Sequence, residues 1–497
     1  MRLIRGLIWL ALVPVVIPLA VGDPTAAQPA TREKILTMAF DTKIISLDVV
    51  TVAERATAVV GRHVYETLVT RNEKGEFVPR LAAWWKTVSP TEWEFKLRRG
   101  VKWHDGRPFT ARDVKFSLDR YNNPAVQSPL RPLWEFLDRV DAVDEQTVRI
   151  RTRVPMGPML SNLMLTFIIP ERDGVNWAEQ AVGTGPFRLS EWRRDDRLVL
   201  VKNPDYWGKK PALDRVVWRE VPEYTTRVAA LERGDLDLVI GLTAEDAGRL
   251  ANRLAVVQGP TWRQRLFWMN AGRPPFDRLQ ARQAMRYALS IEAMVKDIMG
   301  GMAQPAHSAV APTVFGFTSN PPYRYDPARA RALLAEAGVG RGFVTSLDYS
   351  LGDAKQKELV ELIAAQLGEL GIRAQLKLKD RAVWVRDLLG MNWDTTLFGN
   401  TTTSGDADFT LRRVFHSRAR RLNYTNPELD RWIDEAAQAL DPRRRLAAYE
   451  QANRILWNDS PVMFLFVHVQ VYGHARKVSF QPPLDDTLLR LENYDVK

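Results

Sequence analysis

Beyond residue 30 the chain has no low-complexity linker and no internal repeat, and its apolar pattern switches between period 2 and period 3.6 along its whole length. That alternation predicts a mixed α/β protein rather than an all-helical or all-β one. At 497 residues the chain exceeds what one core holds, so about two or three domains are expected, with the backbone passing between them without spacers. Trp93, Phe95 and Leu97 alternate with Glu94 and Lys96, as in a half-buried strand. Arg99-Gly100 is expected to turn it, Val101 and Trp103 to continue a second strand, and His104-Asp105-Gly106 to turn again. Thr110 to Asp113 has capping-box spacing before a helix carrying Val114 and Leu118. Helices are predicted to start at Asp326-Pro327, Asn426-Pro427 and Asp441-Pro442, where a side-chain cap precedes a first-turn proline, and another to run from near Lys355 to Glu369. Ile372 to Leu378 and Met463 to Val471 read as strands.

The first residues carry a different signal. Arg2 and Arg5 precede an apolar run from Leu7 to Val21 and a small-residue stretch from Gly22 to Ala30. These are the three parts of a secretory signal peptide, expected at 1–27 with cleavage after Ala27 or near Gly22. The run is about fifteen residues, short of the ~20 a spanning helix needs, and Pro14 and Pro18 interrupt it, so a retained anchor is disfavoured. The chain has no cysteine, hence no disulfide framework, no thiolate metal site and no residue for a lipid anchor. An untethered periplasmic protein is expected. The formal charge is +11, with basic residues spread along the chain and local clusters only at 418–421 and 443–445. Such spreading fits a solvated surface and no nucleic-acid partner, and leaves an anionic membrane face or an anionic ligand open.

Catalytic signatures are missing. The six histidines lie at 63, 104, 307, 416, 468 and 474, without the helical spacing of a zinc hydrolase. His468 and His474 on one strand would stand ~20 Å apart, too far for one metal. Gly338-Val339-Gly340-Arg341-Gly342 follows a helix rather than a strand, unlike a phosphate loop, and no Gly-x-Ser-x-Gly elbow occurs. Binding is expected, without catalysis, metal or cofactor.

Several blocks then occur in order: Leu47-Asp48 with 64–69; 97–114, reading LRRGVKWHDGRPFTARDV; Gly183-Thr184-Gly185-Pro186-Phe187; 203–207; 234–237; and Met269-Asn270 with 274–277 and 282–285. Together they resemble the family 5 extracellular solute-binding proteins, the dipeptide- and oligopeptide-binding class that feeds bacterial ABC importers. The resemblance implies a bilobed clamp (type II, cluster C-like) with an additional inserted domain, two crossing strands as hinge, and a ligand between the lobes. On it, residues 31–64, 182–268 and 474–497 form a discontinuous first lobe, 65–181 the insert and 269–473 the second lobe. The implied partners are a small-molecule or peptide ligand and the permease and ATPase subunits of the inner membrane, with the binding protein a monomer.

In peptide-binding relatives an Asp in the second lobe answers the ligand ammonium. The matching stretch, 401–409, makes Asp406 or Asp408 the implied counter-ion; both could instead simply cap the following helix. The residues before it read Leu397-Phe398-Gly399-Asn400-Thr401 where relatives often place Trp, and Phe409 stands where they have proline. Thr401, Thr402, Thr403 and Ser404 offer hydroxyls there, suiting a hydroxyl-rich or carboxylate ligand such as a sugar conjugate, an opine or a modified amino acid. Asn270 and Thr184 are further candidate contacts. Arg381 and Arg386 are candidate carboxylate partners, since a guanidinium fork matches that group better than an ammonium does. Trp268 and Trp384 are candidate stacking surfaces. A metal chelate or haem remains open through His416, and an exported hydrolase of peptides or glycosides is the rival of a different class.

Overall fold

The computed structural model describes residues 33–497 apart from Asp41, Ala53, Asp173 and 351–354; the expected signal at 1–27 lies outside them. Two large mixed sheets organise the described chain. The first runs, in spatial order, Ala255–Gly259, Gln470–His474, Leu238–Ile240, Ile35–Phe40, Arg215–Glu220, Arg197–Lys202 and Phe187–Arg193. The second runs Ala303–Pro305, Val462–His468, Arg263–Met269, Thr395–Thr401, Val344–Tyr349 and Arg373–Leu378. A four-stranded antiparallel sheet from Ala82–Ser89, Glu92–Leu97, Thr147–Thr152 and Leu137–Asp144 lies between the first two segments of the first sheet in sequence. Among the described residues no helix is long and apolar enough to cross a membrane.

The centre of the second sheet shows why it forms. Val462–His468 is buried throughout, as a strand covered on both faces should be. Its side chains alternate between two cores: Val462 and Phe464 pack with Leu266 and Trp268 on one face, whereas Met463 and Leu465 pack with Phe267 and Met269 on the other. Each strand therefore stitches two helical layers to one sheet.

The two sheets exchange chain at two places. Ala255–Gly259 belongs to the first sheet and Arg263–Met269 to the second, with Pro260-Thr261-Trp262 between. Val462–His468 belongs to the second and Gln470–His474 to the first. The single strand expected at 463–471 is thus two strands broken at Val469, whose N–H donates to the Met302 carbonyl instead of a ladder partner. The chain passes between the sheets at 260–262 and at 469. At the first, Pro260 has no N–H to continue a ladder.

Local signals fare well. Thr110 N–H donates to Asp113 Oδ2 at 2.8 Å, closing the expected cap of Ala111–Asn122. Asp326, Asn426 and Asp441 each accept first-turn amides of Pro327–Glu336, Pro427–Gln438 and Pro442–Asp459. The second strand expected at Val101 and Trp103 is absent. Trp103 N–H bonds the Arg107 carbonyl at 2.8 Å in a closed turn, and both side chains anchor a loop instead. Gly183 to Pro186 precedes its strand rather than forming part of it. A Cβ at Gly183 would meet the Val64 carbonyl oxygen at 1.8 Å, so only glycine lets this segment lie against the end of the helix Arg55–Val64.

That helix carries His63, fully buried, edge-on to Phe187 at 6.2 Å, with neither ring nitrogen hydrogen-bonded. Burial pushes its pKa down to about 4, with Glu492 opposing and Arg62, Arg80 and Arg490 assisting. The folded protein holds this imidazole neutral, while the unfolded chain protonates below ~6.5. Stability contributed here is complete above pH ~6.5 and is lost as pH falls toward 4, by up to about 3 kcal/mol. Urea unfolding across that range should show a falling midpoint that His63→Leu flattens; an unchanged slope in the variant would rule His63 out as the source.

Candidate functional site

A cavity of ≈ 470 Å³ opens between the two sheets and the segment around residues 130–167. Arg62 and Thr487 come from the first-sheet side, Leu130, Leu165 and Phe167 from the segment between the first two strands of that sheet in sequence, and Trp268, Phe398 to Thr401, Thr403, Phe409, Arg413 and Arg421 from the second-sheet side. The aromatic wall is ordered by strand pairing. Trp268 faces Thr396 and Phe398 faces Leu266 on adjacent strands, so the two rings are diagonal neighbours on one face and stack at 4.0 Å, with Trp384 behind Phe398 at 5.9 Å.

The expected residues divide. Asp406 is 1 % exposed and consumed from within. Its Oδ1 accepts from Arg445 Nη2 at 2.9 Å, Tyr449 Oη at 2.8 Å and Asp408 N at 3.1 Å, and its Oδ2 from Ser161 Oγ at 3.0 Å. Arg445 and Tyr449 meet it together because they are four apart on Pro442–Asp459. Burial opposes the Arg445 charge, but the Asp406 carboxylate holds its pKa above the ordinary value. Asp408 is also buried, 3.3 Å from Arg412 Nε, and burial raises its pKa against the opposing Arg412 charge. Thr402 bonds Thr410 and Ser404 bonds the Asp406 backbone, both facing inward, whereas Thr403 lines the cavity.

Asn270 has no exposure. It donates to the Trp393 carbonyl at 2.9 Å and accepts from Gly272 N and Asn423 Nδ2, so its amide is spent on the loop it starts. Thr184, equally buried, donates to Glu66 Oε2 at 2.9 Å. Arg381 does line the cavity, at its edge, 4.8 Å over the Trp384 ring. Arg386 is exposed beside Asp387. Trp268 faces the cavity, while Trp384 donates to Thr396 Oγ1 at 3.0 Å.

Three arginines not singled out from the sequence, Arg62, Arg413 and Arg421, join the expected Arg381 in setting the electrostatics. Arg62, Arg381, Arg413 and Arg421 line the cavity, and among the described residues no Asp or Glu does. Among the described residues none of the four has a carboxylate within ion-pairing distance; Arg62 Nε donates to the Thr487 carbonyl at 2.9 Å, and Arg413 lies 4.3 Å over the Phe409 ring. Burial lowers the Arg62 pKa to about 10, lowers that of Arg413, with the Arg421 charge adding to it, and lowers that of Arg421. All remain cations at neutral pH. Arg413 sits in the π turn Leu411–Phe415, and such turns recur at functional sites.

A second cavity of ≈ 440 Å³ adjoins the first, sharing Arg413 and Arg421 and lined also by Glu135, Asp408, Arg412, His416 and Arg418. Its acids are matched: Arg412 reaches Glu135 at 3.2 Å and Asp408 at 3.3 Å. His416 lies 3.4 and 3.5 Å from Asp430 and Asp434, and its Nδ1 accepts from Arg418 N. Among the described residues no group of three His, Asp or Glu converges as a metal site.

The model of the bacterial extracellular solute-binding proteins, family 5, matches residues 76–421. The chain is 30% identical to the glutathione-binding protein GsiB of Salmonella choleraesuis strain SC-B67, over 98% of both chains. The fold is similar to that of DppA from Helicobacter pylori in complex with the peptide STSA (TM-score 0.82, 24% identity, 93% of this chain and 98% of that one). It is equally similar to AgaA from A. tumefacien R10 in complex with agropinic acid (TM-score 0.82, 24% identity, 93% and 99%).

Proposed function

The chain belongs to the family 5 extracellular solute-binding proteins, and we propose that it captures glutathione, or a short peptide of the same charge pattern, in the periplasm. It then presents the loaded form to the permease and ATPase subunits of an ABC importer. The observation that carries this reading is the cavity itself. It is built from both sheets and the insert, walled by aromatic rings and rimmed by arginines, and its ≈ 470 Å³ falls within the ~300–1,000 Å³ typical of small-ligand sites. A relative 30% identical over its full length is a glutathione-binding protein, which favours that ligand over the tetrapeptide or the opine seen in proteins that share only the fold. The leader read at 1–27 is consistent with export to the compartment where such capture occurs.

Native mass spectrometry of the protein isolated from its own periplasm tests the reading. The expected spectrum holds a one-to-one complex that releases an acidic peptide on denaturation. Ligands with dissociation constants of about 1 μM or tighter survive such handling. Ligand-free protein that also gives no heat with glutathione at about 100 μM would remove the peptide assignment, and turnover of the added peptide would point to a hydrolase instead.

A further inference from the structure

Resting on the reading of this cleft as a solute site, we propose that it selects solutes with a carboxylate at each end, held by guanidinium groups from opposite sides, and that it does not require a free ammonium group. The side built on the first sheet contributes Arg62, whose Nε is fixed by the Thr487 carbonyl. The side built on the second sheet contributes Arg413 and Arg421. Among the described residues no acid lines this cavity, so partly buried positive charge stands without an ion-pair partner on both walls. One carboxylate neutralises one wall. Two at a suitable separation neutralise both and tie the walls together, so a dianionic end pattern gains differential affinity for the closed arrangement that a single carboxylate cannot supply.

The ammonium side of the ledger points the same way. Asp406 is closed off by Arg445, Tyr449 and Ser161. Asp408 belongs to the adjoining cavity and faces Arg412. An incoming ammonium group would have to displace that guanidinium from its buried ion pair with Asp408. Glutathione fits the rule through its two terminal carboxylates, and its amine is a passenger.

Calorimetric titration of the purified full chain with five probes decides the matter: glutathione, N-acetylglutathione, glutathione dimethyl ester, trialanine and glutarate. N-acetylglutathione should bind within about 3-fold of glutathione, and the diester and trialanine at least about 100-fold more weakly. A loss above about 30-fold on N-acetylation would overturn the inference by showing that Asp408 or Glu135 reads the amine. So would a diester that binds as well as the acid. Trialanine binding as tightly as glutathione overturns the charge rule but keeps a general peptide importer. Glutarate binding while none of the peptides does keeps the charge rule but removes the peptide assignment. Silence from all five sinks both.

Discussion

Asp406→Ala is expected to destabilise the protein by about 3–5 kcal/mol, the usual loss when one partner of a buried ion pair is removed. The substitution strips Arg445 of its counter-ion at a site 7 % exposed on the arginine side and 2 % on the aspartate side. It also removes the acceptor of Tyr449 and Ser161 and the cap of Ala407–Thr410. Asp406→Asn keeps the shape but not the charge, and should cost less. Asp406→Ala combined with Arg445→Met should recover most of the loss, because a buried pair replaced as a unit leaves no orphan charge. Urea midpoints measure all three. A well-folded Asp406→Ala that has lost ligand affinity would instead restore this carboxylate to the role the family resemblance gives it, as counter-ion to a ligand amine.

The contrast between that expectation and the observed network shows which parts of the molecule a sequence can reveal. Caps such as Thr110 with Asp113 or Asp441 with the Arg444 amide join neighbours within one turn, so local spacing announces them. The Asp406 partners come from Ser161 on the helix Met159–Leu163 and Arg445 on a distant helix, and no spacing encodes that meeting. The crossing at Val469 hides in an apolar run because continuous burial on both faces is the same whichever sheet a strand joins. The cleft arginines hide for a related reason. Arg412, Arg413, Arg418 and Arg421 form one basic stretch that composition reads as solvated surface. What separates them is the acid each has or lacks: Arg412 has Asp408 and Glu135, Arg418 has Asp434, and Arg413 and Arg421 have none among the described residues.

That difference yields an expectation in which binding and stability move apart. Arg413→Ala should weaken binding of an acidic ligand by about 30-fold or more, and the double change with Arg421→Ala by more still, since truncating one partner of a buried charge contact costs about 2–5 kcal/mol. Yet neither change should lower the urea midpoint of the ligand-free protein. Burial and the Arg421 charge both press the Arg413 pKa down, so deleting the guanidinium removes a repulsion and breaks no ion pair. Arg412→Ala should do the reverse, destabilising the fold by leaving Asp408 buried without its partner. Arg421→Lys keeps the charge but loses the planar fork, and should fall between wild type and alanine in affinity. The affinity of the intact protein should also decline as salt rises. Titrations at two ionic strengths beside denaturation curves separate these cases. Unchanged affinity in Arg413→Ala would show that the arginines only shape the wall, whereas loss of affinity with an undiminished midpoint would mark them as groups kept unpaired for the ligand's carboxylates.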